Sequence, residues 1–178
     1  MVAAKTGYEP AEETGLRRTR GAPLDGEDVN AKKAKEEKQK MTITADRELE
    51  IRKQFETNHF PRMLGIEMDS LESGRAVLGV TVRKDLLQLQ GVMHGGAIAS
   101  LIDTAVAFAI ASTSSPTDRF TTVEMKVNYL SAIRDGRVTA DAKLIRDGRR
   151  IVVAECDVHD ADGRLAAKGL LTYIRLNG

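Results

Sequence analysis

The sequence predicts an α+β domain in which a curved antiparallel sheet wraps around one long buried helix, with an extra helix before the first strand. Residues 96–112 are apolar nearly all round, which predicts a buried helix. Three Asp-Gly pairs in the last third of the chain are typical of turns. Apolar and polar side chains alternate around those pairs, which indicates half-buried strands. One face of such a sheet needs cover, and only this helix is apolar enough to provide it.

Composition limits the classes of protein and partner. The chain has 178 residues, of which 42% are hydrophobic and 30% are charged, enough for one soluble domain with a core. Its net charge of +1 and aromatic content of 4%, with no Trp, argue against a nucleic-acid partner. The longest apolar run contains Asp103 and is too short to cross a bilayer, so we expect no membrane partner. A single cysteine, Cys156, and a start unlike a signal sequence predict a cytoplasmic protein.

The first 43 residues differ in composition from the rest of the chain. They are rich in Lys, Arg, Glu, Gly and Ala and have almost no large apolar residues, so they bury too little surface to offset chain entropy. We expect residues 1–43 to form a flexible charged arm and residues 44–178 to form the domain. The alternatives for this segment are a vector-derived leader, a start set too early with Met41 as the true start, and a docking arm.

Periodicity and helix-breaking residues define the elements of the first half. Ala45 opens a segment with helical spacing of apolar positions, and His59-Phe60-Pro61 is expected to end it because the residue before a proline is disfavoured in helices. A segment rich in Ser and Thr before Pro116 is expected to end the central helix. The predicted elements are a helix over residues 45–57, strands over residues 64–68 and 75–82, and the central helix over residues 96–112.

Strand and turn signals are clearest in the last third of the chain. Apolar side chains alternate with polar ones around Val123, Val138 and Val152, as expected for half-buried strands. These stretches predict a four-stranded antiparallel meander. Its turns are expected at Asp135-Gly136, Asp147-Gly148 and Asp162-Gly163.

The residues that most clearly indicate a reactive site are His94-Gly95-Gly96 and, further along the same predicted helix, Asp103. Glycines allow close approach to the backbone, and the first N–H groups of a helix are unpaired. A carboxylate in an apolar helix is costly unless it is paired, hydrogen-bonded or used. Together these residues indicate a backbone donor for an oxyanion and a reactive carboxylate. At ~1.5 Å per residue Gly95 and Asp103 lie about 12 Å apart, so they can act on one carbonyl only from two subunits, which predicts an obligate dimer.

The segment Gly91-Val92-Met93-His94-Gly95-Gly96, followed by Leu101-Ile102-Asp103-Thr104-Ala105, resembles the signature of hotdog-fold acyl-CoA thioesterases of the PaaI, or phenylacetate-degradation, type. The resemblance covers residues 50–176 and includes Leu64 to Glu67, Thr121 to Leu130 and Asp162 to Gly169. It implies the hotdog fold, which is the arrangement predicted above. It also implies hydrolysis of an aryl- or short- to medium-chain acyl-CoA to the free acid and CoA. Coenzyme A is then part of the substrate, and no separate cofactor is expected.

The resemblance implies roles for individual residues. Gly95 would polarise the thioester carbonyl through its backbone N–H. Asp103 would act as nucleophile or as general base on water, and the sequence leaves both roles open. Gln88 stands where members of this type more often have Asn, and it would hold substrate or water through its amide. Thr122, or its neighbour Thr121, would orient the water.

Five further residues have expected places around the site. His94 either takes part in the chemistry or organises the loop, and Gly96 is expected to lie against the substrate. Arg134, Arg149 and Arg150 stand beside predicted turns and are candidates for binding the phosphates of CoA, although each also fits a solvated turn charge.

Other kinds of site find less support in the sequence. No metal-ligand spacing, phosphate loop or Gly-x-Ser-x-Gly motif is present, so we expect no metal site. A hotdog hydratase or dehydratase needs a different acid–base pair, and it stays open beside a non-catalytic acyl-CoA-binding module on the same fold. The assembly is expected to be a homodimer or a dimer of dimers.

Overall fold

A computed structural model describes residues 43–176. The predicted charged arm lies outside the described residues, apart from Ile43. The described residues form three helices longer than one turn, a short 3₁₀ helix at Lys84–Leu86 and six strands. The helices are α1 (Ala45–Thr57), α2 (His59–Leu64) and α3 (Gly95–Ala111); the strands are β1 (Ile66–Glu72), β2 (Arg75–Thr81), β3 (Phe120–Tyr129), β4 (Arg137–Asp147), β5 (Ile151–His159) and β6 (Leu165–Arg175).

The six strands form one antiparallel sheet in the order β1-β2-β4-β5-β6-β3. The α+β class and the central helix are confirmed, but the predicted four-stranded meander is wrong. Strands β4, β5 and β6 follow one another, whereas β3 pairs with β6 at the far edge of the sheet. Strands β2 and β5 pair with the two sides of β4, so β3 cannot pair with β4. It pairs with the edge of β6 instead.

Helix α3 covers one face of the sheet, and its boundaries agree with the prediction to within one residue. Leu101, Ile102, Ala105 and Ala109 have no exposed surface and form the centre of the core. The helix comes so close to β6 that a Cβ added to Gly169 would lie 2.7 Å from Cγ2 of Ile102. Glycine at this position therefore sets how tightly the helix seats on the sheet.

The segment before the sheet departs from the sequence prediction in one place. Helix α1 has the predicted bounds, and Ile51 and Phe55 pack into the core. His59-Phe60-Pro61 was expected to end that helix, but it opens α2 instead. Proline is tolerated in the first turn of a helix because no intrahelical bond there needs its N–H. The predicted strand over residues 64–68 consequently begins later, at Ile66.

Strand β3 is exposed in the single chain, although its alternation predicted a half-buried strand. The exposed fractions are 55% for Val123, 39% for Met125 and 53% for Tyr129. An edge position explains this, because α3 packs mainly over the middle of the sheet and, within residues 43–176, β3 has a neighbouring strand on one side only. Its outer row of backbone N–H and C=O groups is therefore available for pairing.

An ion pair joins β2 and β4 on the face of the sheet away from α3. The Arg75 guanidinium donates to Asp141 from Nε at 2.8 Å and from Nη2 at 3.0 Å, and Lys143 Nζ lies 3.1 Å from the same carboxylate. The bidentate hydrogen bond from Arg75 holds the pKa of Asp141 below its ordinary value of 3.8.

Acid is therefore expected to weaken the fold through this carboxylate. A pKa that is lower in the folded chain contributes stability above pH 3.8, and that contribution is lost as the pH falls through the lowered value. We expect Asp141→Asn to unfold at lower urea than the unsubstituted chain near pH 7 and the difference in midpoint to close below about pH 4. The control is Asp162→Asn, at an exposed turn. A difference for Asp141→Asn that stays constant into acid would contradict the assignment.

Candidate active site

The start of helix α3 leaves one backbone donor without a partner among the described residues. His94 is the N-cap residue, and its Nδ1 accepts a hydrogen bond from the Gly96 N–H at 2.9 Å. The carbonyl oxygen of His94 accepts from the N–H groups of Ala97 and Ile98 at 2.9 and 3.2 Å. The N–H of Gly95 has no acceptor in this part of the chain. It stands at the positive end of a 17-residue helix, where an anion or a developing oxyanion is stabilised.

Gly95 lines an open cleft of about 410 Å³. Tyr129, from the end of β3, closes one side, and its hydroxyl donates to the carbonyl oxygen of Gly95 at 3.0 Å. A Cβ added at Gly95 would lie 3.3 Å from the Tyr129 ring, so glycine lets the ring approach the helix. Gln88 also lines this cleft, on an exposed loop closed by the hydrogen bond from its N–H to Val92 O at 2.9 Å.

The Asp103 carboxylate lies two turns further along α3, where the helix faces the paired strands β3 and β6. The Thr122 hydroxyl donates to Asp103 Oδ1 at 2.9 Å. The Tyr173 hydroxyl donates to the same Oδ1 at 2.6 Å and lies 3.0 Å from the backbone oxygen of Asp103. No described residue donates to Oδ2. Asp103 is partly exposed, so this second oxygen is accessible from outside the chain.

Tyr173 stays protonated in this position. Burial raises the pKa of its phenol, and the hydrogen bond to the Asp103 carboxylate raises it further. The phenol is therefore a permanent donor toward Asp103 at physiological pH.

The structure separates the predicted residues into two groups. Gly95, Gly96, His94 and Gln88 lie at the start of α3, whereas Asp103 and Thr122 lie together about 12 Å along the helix axis, by the rise of ~1.5 Å per residue. Because the same helix carries Gly95 and Asp103, no movement of side chains alone brings the Gly95 N–H and the Asp103 carboxylate of one chain onto one carbonyl.

Neither group includes the remaining predicted residues, which are Thr121 and three arginines. Thr121 precedes Thr122 on β3, so its side chain points to the opposite face of the strand from Asp103. Arg134 follows Ile133, which lines the Gly95 cleft. Arg149 and Arg150 form the turn from β4 to β5, which Arg175 links to the segment after α3 by donating to Gly148 O at 2.6 Å and Ser114 Oγ at 3.2 Å.

The sequence interpretation missed the two tyrosines that border the site. Tyr173 and Leu171 are two positions apart on β6, so both side chains lie on its inward face. A buried tyrosine needs a partner for its hydroxyl. Asp103 carries the only carboxylate of the helix that covers that face. The sequence therefore indicated that Tyr173 could form a hydrogen bond with Asp103. Tyr129 gave no such signal, because its contact with Gly95 depends on where β3 crosses the start of α3.

Residues 43–176 were also compared with the requirements for a metal site and for a membrane-spanning helix, and they meet neither. No group of three or more His, Cys, Asp or Glu side chains in this range is arranged to hold a metal ion. None of the helices in this range combines the length and the apolar content that crossing a membrane requires.

Comparison with known proteins identifies the family. A model of the thioesterase superfamily matches residues 90–167, a range that contains every member of the two groups of site residues except Gln88. The 1,4-dihydroxy-2-naphthoyl-CoA hydrolase of Listeria monocytogenes is 31% identical over 102 residues, covering 57% of this chain and 83% of that protein. The medium/long-chain acyl-CoA thioesterase YigI of Escherichia coli is 28% identical over 149 residues, covering 74% and 96%.

A solved structure supports the same relationship. A single-substitution variant of the phenylacetic acid degradation protein PaaI from Thermus thermophilus superposes with a TM-score of 0.62 at 30% identity, covering 67% of this chain and 100% of that one. The antiparallel sheet and its central helix thus agree with one family. We conclude that the chain belongs to the thioesterase superfamily and is a hotdog-fold thioester hydrolase.

Proposed function

We propose that the chain hydrolyses an aryl- or short- to medium-chain acyl-CoA, with Gly95 of one subunit and Asp103 of its partner acting on the same thioester. One observation carries this proposal: among the described residues the Gly95 N–H has no acceptor and Asp103 Oδ2 has no donor, and both stand on one rigid helix, too far apart to meet within a chain. In a dimer with a two-fold axis, the Gly95 N–H of each chain can lie beside the Asp103 carboxylate of the other chain, which gives two equivalent sites.

In this mechanism the thioester oxygen accepts a hydrogen bond from the Gly95 N–H, which stabilises the negative charge that develops there. The Asp103 carboxylate either attacks the carbonyl carbon or takes a proton from the water that attacks it. The C–S bond then breaks. In the general-base route the protonated Asp103 carboxyl returns its proton to the sulfur of the leaving CoA. If Asp103 is the nucleophile, solvent water protonates the CoA thiolate, and a water molecule hydrolyses the resulting anhydride in a second step. Both routes use Oδ2, the oxygen to which no described residue donates.

The exposed surfaces of the single chain support the two-subunit site. Strand β3 offers an open edge with exposed apolar side chains at Val123, Met125 and Tyr129. Helix α3 leaves Gly96, Ser100 and other small residues of one face partly exposed, so a second copy can approach closely along the helix. Asp103 lies on the border of these two surfaces, since it contacts Thr122 on β3.

The cleft and the relatives guide the choice of substrate. Val92, Met93, Ile98, Leu130 and Ile133 make much of the cleft apolar, which suits an acyl or aryl group. The name of the Listeria relative gives an aryl-CoA substrate, and that of the Escherichia coli relative gives medium and long acyl chains. Membership of the PaaI type and a cytoplasmic location belong to the same proposal. So does binding of the CoA phosphates by Arg134, Arg149 and Arg150.

A thiol-release assay over a panel of acyl- and aryl-CoA thioesters tests the function. We expect thiol release from aryl-CoA and from short to medium acyl-CoA, because apolar side chains line much of the cleft beside Gly95. Free CoA is measured with a thiol reagent, and the same chain incubated with acyl-pantetheine shows how much the nucleotide part contributes. Absence of thiol release from every member of the panel would contradict the proposal.

A further inference from the structure

We propose that Tyr173 is a positioning residue for Asp103: its phenol holds Oδ1 so that Oδ2 is the oxygen that reacts with the thioester or with water. This inference rests on the proposed function, because it gives Tyr173 a role only through Asp103. The sequence resemblance offered no role for this residue.

The hydrogen bonds select one oxygen of the carboxylate. A phenol has one proton, and the shorter of its two contacts is that to Oδ1, at 2.6 Å against 3.0 Å to the backbone oxygen. Thr122 donates to Oδ1 as well, at 2.9 Å. With two donors on one oxygen, rotation of the carboxylate would break both bonds. The two oxygens are therefore not equivalent, and the free lone pairs of Oδ2 keep a fixed direction.

The two donors are paired residues on neighbouring strands of the sheet, which makes the arrangement rigid. Thr122 and Tyr173 are direct partners in the pairing of β3 with β6. Tyr173 is only 3% exposed, and the Phe120 ring packs edge-on against it at 6.1 Å between centroids. Asp103 is on the helix, so the two hydroxyls also fix the helix against the sheet at the point where the carboxylate acts. A displacement of about 1 Å at such a point can reduce a rate by ~10²-fold.

The test is Tyr173→Phe, which removes the hydroxyl and keeps the ring against Phe120. We expect kcat, expressed per folded enzyme, to fall about 10- to 100-fold with KM unchanged. The matched control is Thr104→Val, which removes a buried hydroxyl bonded to Ser100 O at 2.7 Å, one residue from Asp103 but without contact to its carboxylate. This control is expected to keep the kcat and KM of the unsubstituted enzyme.

The possible outcomes separate this inference from the proposed function. If Tyr173→Phe keeps the full kcat while Asp103→Asn is inactive, Tyr173 has no positioning role and the function of Asp103 stands. If Asp103→Asn is fully active, both proposals are overturned. Circular dichroism gives the folded fraction of each variant, so a kcat per folded enzyme decides the question even if Tyr173→Phe lowers the yield of folded protein.

Discussion

Replacing Asp103 with asparagine is expected to reduce thioester turnover by at least ~10²-fold, because the variant loses its nucleophile or general base. The amide oxygen can still accept from Thr122 and Tyr173, which now donate to Oδ1 at 2.9 and 2.6 Å. The NH₂ group takes the place of Oδ2, the oxygen that the mechanism uses. The fold and the assembly should therefore persist while the reaction stops.

Thiol release under saturating acyl-CoA measures this loss. The control is Asp162→Asn, which makes the same chemical change at an exposed turn between β5 and β6 and should keep full activity. Thermal unfolding of both variants shows whether Asp103→Asn is folded. Full turnover by Asp103→Asn would remove Asp103 from the mechanism.

Replacing Gly95 with proline is expected to lower kcat by about 10²- to 10³-fold, the usual cost of losing one oxyanion donor. Proline has no N–H, so the substitution removes the donor that faces the cleft at the start of α3. The helix should tolerate it, because Gly95 is the first helical residue and proline is favoured there. His94 has φ −64° and ψ 134°, an extended conformation that suits a residue before proline.

Gly95→Ala separates the donor from the space around it. It keeps the N–H and adds a Cβ that would lie 3.3 Å from the Tyr129 ring, a contact that a small shift of the ring relieves. We expect Gly95→Ala to retain most of its kcat while Gly95→Pro loses it. Equal loss in both variants would indicate that crowding at Tyr129, and not the missing N–H, lowers the rate.

Much of the fold follows from local sequence, and the part that does not is the neighbour of β3. Helix α1 and the turns at Asp147-Gly148 and Asp162-Gly163 are set by short-range propensity, and they appear where predicted. The alternation along β3 correctly indicated a strand but gave no information on its partner. Alternation records which face is apolar, whereas β3 found its place beside β6 because the neighbours of β4 were already β2 and β5.

The site shows the same division between local and long-range information. The cap by His94 is local to the helix start, and so is the N–H of Gly95, for which no described residue is an acceptor. The carboxylate of Asp103 was recognisable because a charge in an apolar helix needs a reason. Its donors Thr122 and Tyr173 lie 19 and 70 positions further along the chain, so only the pairing of β3 with β6 brings them together.

A mixed dimer of Gly95→Pro and Asp103→Asn subunits tests the central claim, that each site takes Gly95 from one chain and Asp103 from the other. The two variants are produced together with different affinity tags, and the mixed dimer is purified through both tags and verified by light scattering. One of its two sites then combines an intact Gly95 with an intact Asp103. The predicted result is about half the activity of the unsubstituted dimer, from two parents that are each nearly inactive. A mixed dimer as inactive as its parents, or a chain that remains a monomer in solution, would contradict the shared site.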